Sequence, residues 1–193
     1  MKIGCALLAA GTSSRFGSNK LKQSFHGHSL FEIALLTLSA VEGFSCTTIV
    51  SRDDDMLLLA KRHDFDAVLN NRPDLGISRS IKLALEHMKG LDAVMFMVCD
   101  QPLLKPESII RLIKSYKDAP NHIHALSYMG RRGNPVIFPS MFFDELLNLS
   151  GDVGGNAIIK RHPQNLVLCE ATSGSELMDI DDTDSFLRLY KMK

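Results

Sequence analysis

Apolar and polar positions along this chain fall into two alternating rhythms, and the alternation itself is the first structural statement. Short, almost unbroken apolar runs read as buried strands: "KIGCALLAA", "CTTIVSR", "FDAVLNN", "LDAVMFMVCD" and, near the end, "NLVLCE". Between them lie longer segments with apolar residues at helical spacing. In "SLFEIALLTLSAVEG" the spacing runs from Leu30 to Val41, with Ser29 as N-cap, Glu32 three residues on and Gly43 as the stop. "DMLLLAKRHD", "SRSIKLALEHMKG", "PESIIRLIKSYKD" and "SMFFDELLNLS" read as further helices, with Pro106 in a first turn, and "GNAIIKRHP" as a short one. Two more apolar segments, "IHALSYM" and "NPVIFP", follow the fourth strand. Strands alternating with helices predict an α/β fold with a mostly parallel sheet and helices on both faces, which is three layers. No repeat, low-complexity tract or linker divides residues 1–193, so the expectation is a single domain.

Composition narrows the function classes. The chain has 193 residues, 45% hydrophobic and 23% charged, with no Trp, as one globular domain would. Lys plus Arg equals Asp plus Glu at 22 each, so no global field favours nucleic acid or an anionic membrane, and any bound anion must be met locally. Cys5, Cys46, Cys99 and Cys169 are widely spaced without a CxxC pair, which fits a reducing, cytoplasmic setting. The opening apolar run is too short for a signal peptide, and no apolar stretch approaches a membrane span.

The loop after the first strand is where chemistry concentrates. "LLAAGTSSRFGSNK" supplies glycines that can turn tightly, hydroxyls that can donate, and two cations of different character. Arg15 can fork two donors onto phosphate oxygens and Lys20 adds a compact charge, a pairing suited to a polyphosphate. The spacing is not GxxxxGK[ST], and Gly11 lacks the partner glycine of GxGxxG, so two better-known phosphate loops are excluded. As a solvent-facing loop it is expected to contribute little to stability.

Further candidates lie at strand ends. Asp100 ends the most apolar strand, where a carboxylate either holds a cation or caps the following helix. A second carboxylate could come from "MDIDD", as Asp181 or its neighbour Asp179, though acidic clusters also cap helix termini. Cys99 reads as core rather than as a nucleophile, and the "HGH" and "HIH" pairs lack a third ligand for zinc. "GRRGNPV" reads as a turn before a strand and "SGDVGGN" as a turn ahead of a helix, two places where an anionic, hydrogen-bonding ligand could dock.

Six blocks, in order, resemble one family. "LLAAGTSSRFGSNKL" is similar to its LAAGxSSRMGxxKL, "GISRSIKLAL" to GxSxSLxxGL, "VMFMVCDQPLL" to an apolar strand ending in CDQP, "GRRGNPVIFP" to GxRGNPVLF, "LSGDVGGNAII" to LxGDxGAR, and "MDIDDTDSF" to DIDTPEDY. The pattern is that of the nucleotidyltransferases sharing the Rossmann-like fold of the MobA-like molybdenum cofactor enzymes and the sugar-phosphate nucleotidyltransferases. Within it the blocks are most similar to the molybdenum cofactor cytidylyltransferases. The resemblance implies transfer of CMP from CTP to the phosphate of molybdopterin, with pyrophosphate released and a molybdenum hydroxylase as recipient of the product. It implies Mg²⁺, with Mn²⁺ as an alternative, on Asp100 and Asp181, and Arg15 and Lys20 at the reacting phosphates. Nucleotide binding falls to Leu8, Ala9, Ala10, Gly11, Thr12, Ser13 and Ser14, with Gly76 and Ser80 at the base; the acceptor falls to Arg132, Gly133, Asn134, Gly151, Asp152 and Gly154. The chain departs at Phe16, Ala84, Asp182, Thr183 and, most consequentially, Asn156, where the family has an arginine beside the acceptor. Ala10, where guanylyl enzymes have a second glycine, favours cytidine. A related guanylyl or sugar- or polyol-phosphate cytidylyl enzyme, and a non-enzymatic carrier of the cofactor, are the alternative readings; keeping Lys20 and both carboxylates argues for catalysis.

Overall fold

The computed structural model describes residues 1–11 and 19–192. Among these, strands β1 (Ile3–Ala9), β2 (Ser24–Phe25), β3 (His28–Ser29), β4 (Cys46–Ser51), β5 (Asp66–Leu69), β6 (Ala93–Val98), β7 (Ile123–Tyr128), β8 (Arg131–Pro139) and β9 (Leu166–Glu170) form two sheets. The helices are α1 (Leu30–Ser39), α2 (Asp54–Arg62), α3 (Ile77–His87), α4 (Pro106–Asp118), α5 (Phe143–Leu147), α6 (Asn156–Arg161) and α7 (Thr183–Tyr190). Seven strands make the main sheet in the order β5-β4-β1-β6-β8-β7-β9, while β2 and β3 form a separate small hairpin.

The sheet is mostly parallel, as the alternation predicts, with one exception. β8 runs antiparallel to both β6 and β7. The cause is local: β7 and β8 are joined only by Met129 and Gly130, both at positive φ, and a two-residue connection can join only antiparallel strands. Glu170 holds this turn, its carboxylate accepting from Ser127 Oγ at 3.0 Å, Met129 N at 3.0 Å and Gly130 N at 3.4 Å. In "GRRGNPV" only Gly130 belongs to the turn, and everything from Arg131 on is strand.

Alternation along β1 divides the core. Cys5, Leu7 and Ala9 face one layer with Leu35 of α1, Met56 of α2 and Ile109 and Leu112 of α4, and Ala6 faces the other with Ile81 of α3, Leu146 of α5 and Ile158 of α6. Both faces of the sheet are thus covered, and among the described residues no helix is long and apolar enough to cross a membrane. α1 starts as the sequence indicates, with Ser29 Oγ accepting from Glu32 N at 3.1 Å, but stops at Ser39; Val41, past its end, is buried in the core instead of continuing the helix. The segment "SMFFDELLNLS" is a 3-10 turn at Ser140–Phe142 leading into the five-residue α5.

Two helices take their N-terminal partners from distant segments. α4 has no capping side chain of its own, and the carboxylate of Glu176 accepts from Lys105 N at 3.1 Å instead. α3 likewise opens at Gly76 without a local cap, and Asp152 Oδ1 accepts from Ile77 N at 3.3 Å. These long-range caps bind the loops at the carboxyl edge of the sheet to one another.

Candidate functional site

Two adjoining cavities open along the carboxyl ends of the parallel strands, where such sheets gather their ligand-binding loops. The first, about 570 Å³, is bounded by the end of β1, Lys20, the start of α3 and the end of β6. The second, about 470 Å³, is bounded by β8, the start of α6 and the segment before α7. Leu8, Ile77 and Val98 line both, so the two cavities share a wall.

Lys20 stands at the polar end of the first cavity. Its Nζ lies 2.9 Å from Asp100 Oδ2, donates to the carbonyl of Ile180 at 2.7 Å, and is 3.8 Å from Asp181 Oδ1. The local reason is a 3-10 turn at Lys20–Lys22 with Leu21 buried beneath it and Asn19 capping it. The "DIDD" segment reaches this place because Ile180 is fully buried against Phe25, Leu30 and Leu189, and its N–H donates to the carbonyl of Asp100 at 2.8 Å. The Lys20 side chain is only 14% exposed and ties three distant segments together, so at this residue the expectation of a solvent-facing position does not hold.

The acidic cluster divides its work. Asp182 caps α7, accepting from Ser185 N at 2.7 Å, while Asp181 faces Lys20 from an exposed position. Asp179 lines the second cavity and accepts from Gln101 Nε2 at 2.8 Å. Burial, reinforced by the Asp100 charge, pushes its carboxyl up to about 6, with Asp181 adding to the rise and Gln101 opposing it. Asp100 does not cap α4, whose N-cap is Lys105; its Oδ2 meets Lys20 and its Oδ1 is buried without a hydrogen-bond partner among the described residues. Cys99 is buried at the floor of the first cavity, and burial followed by the neighbouring Asp100 charge raises its thiol well above the ordinary value, which makes it an inert wall.

Of the other residues singled out in the sequence, Leu8, Ala10, Gly11, Gly76 and Ser80 line the first cavity, and Arg132, Gly133, Asn134 and Gly154 the second. Thr12, Ser13, Ser14 and Arg15 lie outside the described residues. Ala9 points away, into the α1-side core, because the strand's alternation sends it there. Asp152 sits on the first cavity's wall and not with Arg132, because its carboxylate is engaged at the start of α3. Gly151 lines neither cavity. Its backbone is pressed against Gly76, where φ is +78° and any Cβ would collide with Gly151. The pair locks the two loops together, with Ser78 N donating to Gly151 O at 3.3 Å.

Several site residues escape the sequence reading. Asn70, buried at the end of β5, donates from Nδ2 to Ser80 Oγ at 3.0 Å and accepts Arg72 N at 3.0 Å. Its signal was a polar residue closing a strand at the ligand edge. Gln101 is another, adjacent to Asp100 yet turned towards the second cavity. Asn156, already singled out in the sequence, lines that cavity too and accepts from Arg132 Nη2 at 2.6 Å, so it orients the guanidinium, whose pKa partial burial lowers. Phe96, Val136 and Phe138 give the second cavity an apolar floor. Among the described residues no group of three or more His, Cys, Asp or Glu side chains is arranged to hold a metal by itself; His28 pairs with Glu32, and His124 is buried on Ser115 and the Ala119 carbonyl.

Comparison with known proteins agrees with this geometry. Residues 5–166 match the family model of the MobA-like NTP transferase domain. The purine catabolism protein PucB of Bacillus subtilis (strain 168) is 25% identical over 191 residues, covering 93% of this chain and 91% of PucB. Nicotine blue oxidoreductase of Paenarthrobacter nicotinovorans is 26% identical over 196 residues, covering 95% and 94%. Among solved structures, a nucleotidyl transferase from Methanothermobacter thermautotroptrophicus has a TM-score of 0.81 at 20% identity, covering 98% of this chain and 96% of that one. Rv0371c from Mycobacterium tuberculosis, in complex with manganese, has a TM-score of 0.79 at 20% identity, with both chains fully covered. The two structural likenesses establish the Rossmann-like nucleotidyltransferase fold.

Proposed function

We propose that this chain, which belongs to the MobA-like NTP transferase family, transfers the CMP of CTP to the phosphate of molybdopterin and releases pyrophosphate. The observation that carries the reading is the cluster of Lys20, Asp100 and Asp181 beside two adjoining cavities. In such a transfer an acceptor phosphate oxygen forms a bond to the α-phosphorus of CTP while the bond from that phosphorus to the bridging oxygen of the β-phosphate breaks. The acceptor is already a nucleophile, so the protein needs no serine or cysteine attack, and its work is positioning and charge stabilisation.

The roles follow from position. Lys20 is placed to neutralise charge building on the departing pyrophosphate, and Arg15, which lies outside the described residues, takes phosphate oxygens by the family resemblance alone. Ala10, Gly76 and Ser80, the last held by Asn70, surround the nucleotide in the first cavity. Arg132, steadied by Asn156, offers a cation to the acceptor phosphate, and the apolar floor of Phe96 and Phe138 with Asn134, Gly133 and Gln101 at the rim suits a flat, hydrogen-bonding ring better than a polyol.

The residues also fit a divalent cation. Asp100 Oδ1 is buried without a partner and Asp181 stands open beside Lys20, which matches the preference of Mg²⁺ for one or two carboxylates completed by phosphate and water. Asp100 and Asp181 would hold Mg²⁺, or Mn²⁺ as an alternative, and the ion would supply charge neutralisation on the triphosphate. The recipient of the product would be a molybdenum hydroxylase. Incubation with labelled CTP, GTP or ATP, Mg²⁺ and molybdopterin, following pyrophosphate, tests the reading: CTP-selective release that requires molybdopterin supports it, GTP selectivity indicates a guanylyl enzyme, and release with a polyol phosphate alone moves the acceptor.

A further inference from the structure

Lys20 and the two carboxylates raise a question that a phosphate-binding role for the lysine leaves open. Its ammonium already has partners within the chain: Asp100 Oδ2 at 2.9 Å, the Ile180 carbonyl at 2.7 Å and Asp181 Oδ1 at 3.8 Å. The Lys20–Asp100 pair is largely removed from water, at 14% and 22% exposure. Asp100's second oxygen is buried without a hydrogen-bond partner among the described residues, so Lys20 is the cation this carboxylate meets. A lone carboxylate there would be costly to leave unpaired, and the lysine removes that cost. The anchoring turn Lys20–Lys22 is fixed by Leu21 and Asn19, but the four-carbon stem is flexible and the side chain borders the first cavity.

We infer that Lys20 is the internal counter-ion of the cation site: in the free protein it occupies the carboxylates that would take the divalent ion, and a triphosphate in the first cavity draws it off them. The inference rests on the proposed nucleotidyl transfer for the identity of the triphosphate. Its consequence is linkage. Whatever frees Asp100 and Asp181 from Lys20 raises their affinity for the cation, and the cation raises the affinity for nucleotide by the same factor. The device keeps the cation from settling on the protein before the nucleotide that needs it, and it means the ammonium and the ion exchange one set of partners for another with little change in local charge.

The test is Mn²⁺ binding to the full chain without nucleotide, read by the loss of the free-ion electron paramagnetic resonance signal, with thermal melts in parallel. Wild type should bind weakly. Lys20→Met and Lys20→Gln, which keep most of the unbranched stem but remove the charge, should bind Mn²⁺ at least tenfold more tightly, and adding Asp100→Asn to either should abolish the gain. Both single variants should melt below wild type without Mn²⁺ and recover most of the loss when it is added. If Lys20→Met folds only with Mn²⁺, that too supports the counter-ion role. Binding no tighter than wild type in both single variants, or melts that Mn²⁺ does not raise, overturns it. Wild-type pyrophosphate release from CTP is followed separately: release with no Mn²⁺ gain in the variants removes the counter-ion and leaves the transfer standing, whereas a Mn²⁺ gain with no release from any triphosphate does the reverse.

Discussion

Replacing Glu176 should damage this protein more than any other single polar change outside the cavities. The side chain is fully buried. Its Oε1 accepts from Thr172 N at 2.8 Å, Ser173 N at 3.1 Å and the Thr172 hydroxyl, and its Oε2 accepts from Lys105 N at 3.1 Å. One carboxylate thus folds the segment before α7 and caps α4, where its charge also complements the helix dipole. Glu176→Ala would strand three backbone N–H groups. The three donors belong to exposed or half-buried residues and rehydrate in part, so each costs about 1 kcal/mol, the low end for an unpaired donor, and the loss comes to about 3 kcal/mol. For a chain of this length ~2–4 °C accompanies each kcal/mol, so the melting temperature should fall by roughly 6–12 °C. Glu176→Gln keeps an acceptor and the shape but loses the charge, and should cost about half as much.

The sign of the pH dependence follows from the same contacts. Burial alone would push the Glu176 carboxyl up, but hydrogen bonds from Ser108, Thr172, Lys105 and Ser173 outweigh it and hold the group below its ordinary 4.5. A carboxyl held low in the folded state stabilises fully above its unfolded value, and that stability is lost as pH falls below about 4.5 towards the folded value. Thermal and urea melts of wild type, Glu176→Gln and Glu176→Ala at pH 7 and between pH 5 and 3 provide the assay. The wild-type advantage should be full at pH 7 and shrink as pH falls through that window. A Glu176→Ala protein melting within about 2 °C of wild type at pH 7, or a difference independent of pH, would refute the reasoning.

Three further outcomes follow. Asp100→Asn should fold and lower turnover by several orders of magnitude, because it removes charge stabilisation at the reacting phosphates, and Asp181→Asn should act similarly; steady-state CTP kinetics beside a melt check both, and ordinary turnover in folded Asp100→Asn would remove its role. Gly76→Ala meets both a positive φ and the Gly151 backbone, so it should shift the loop pair and raise the KM for CTP at least tenfold while the melt falls by only a few degrees; an unchanged KM would show that the lock does not shape the first cavity. Ala10→Gly should raise GTP use relative to CTP by a modest factor, since one methyl group discriminates by ~1–3 kcal/mol, and an unchanged ratio would move base reading to Gly76, Ser80 and Asn70.

What the sequence reveals here is what lies in single elements. The β1 run, the Ser29 cap and the acid closing "VMFMVCD" are local patterns, and the structure places each where the pattern indicates. Asp100 and Lys20 were legible because a carboxylate at the end of an apolar strand and a cation after a glycine-rich loop are unusual in themselves. The antiparallel β8 was hidden because Met129–Gly130 carries a weak turn signal, and the arginines after it resembled more of the same loop. Glu176 capping α4 and Asp152 capping α3 join residues more than seventy positions apart, and Asn70 holding Ser80 joins a strand end to the next helix; no periodicity encodes such partners. Asp152 shows the cost most plainly: its block was legible, yet its side chain serves α3 on the first cavity's wall.

The central claim is transfer of CMP to an acceptor phosphate in the second cavity, and the most direct measurement follows the label itself. With purified full chain, CTP labelled at the α-phosphate, Mg²⁺ and molybdopterin, the label should pass into a cytidine dinucleotide of the pterin, with one pyrophosphate released for each, and neither should appear when molybdopterin is omitted or Asp100 is replaced by Asn. Pyrophosphate release without label on the pterin, or no transfer from CTP when the same protein transfers from GTP, would contradict the account.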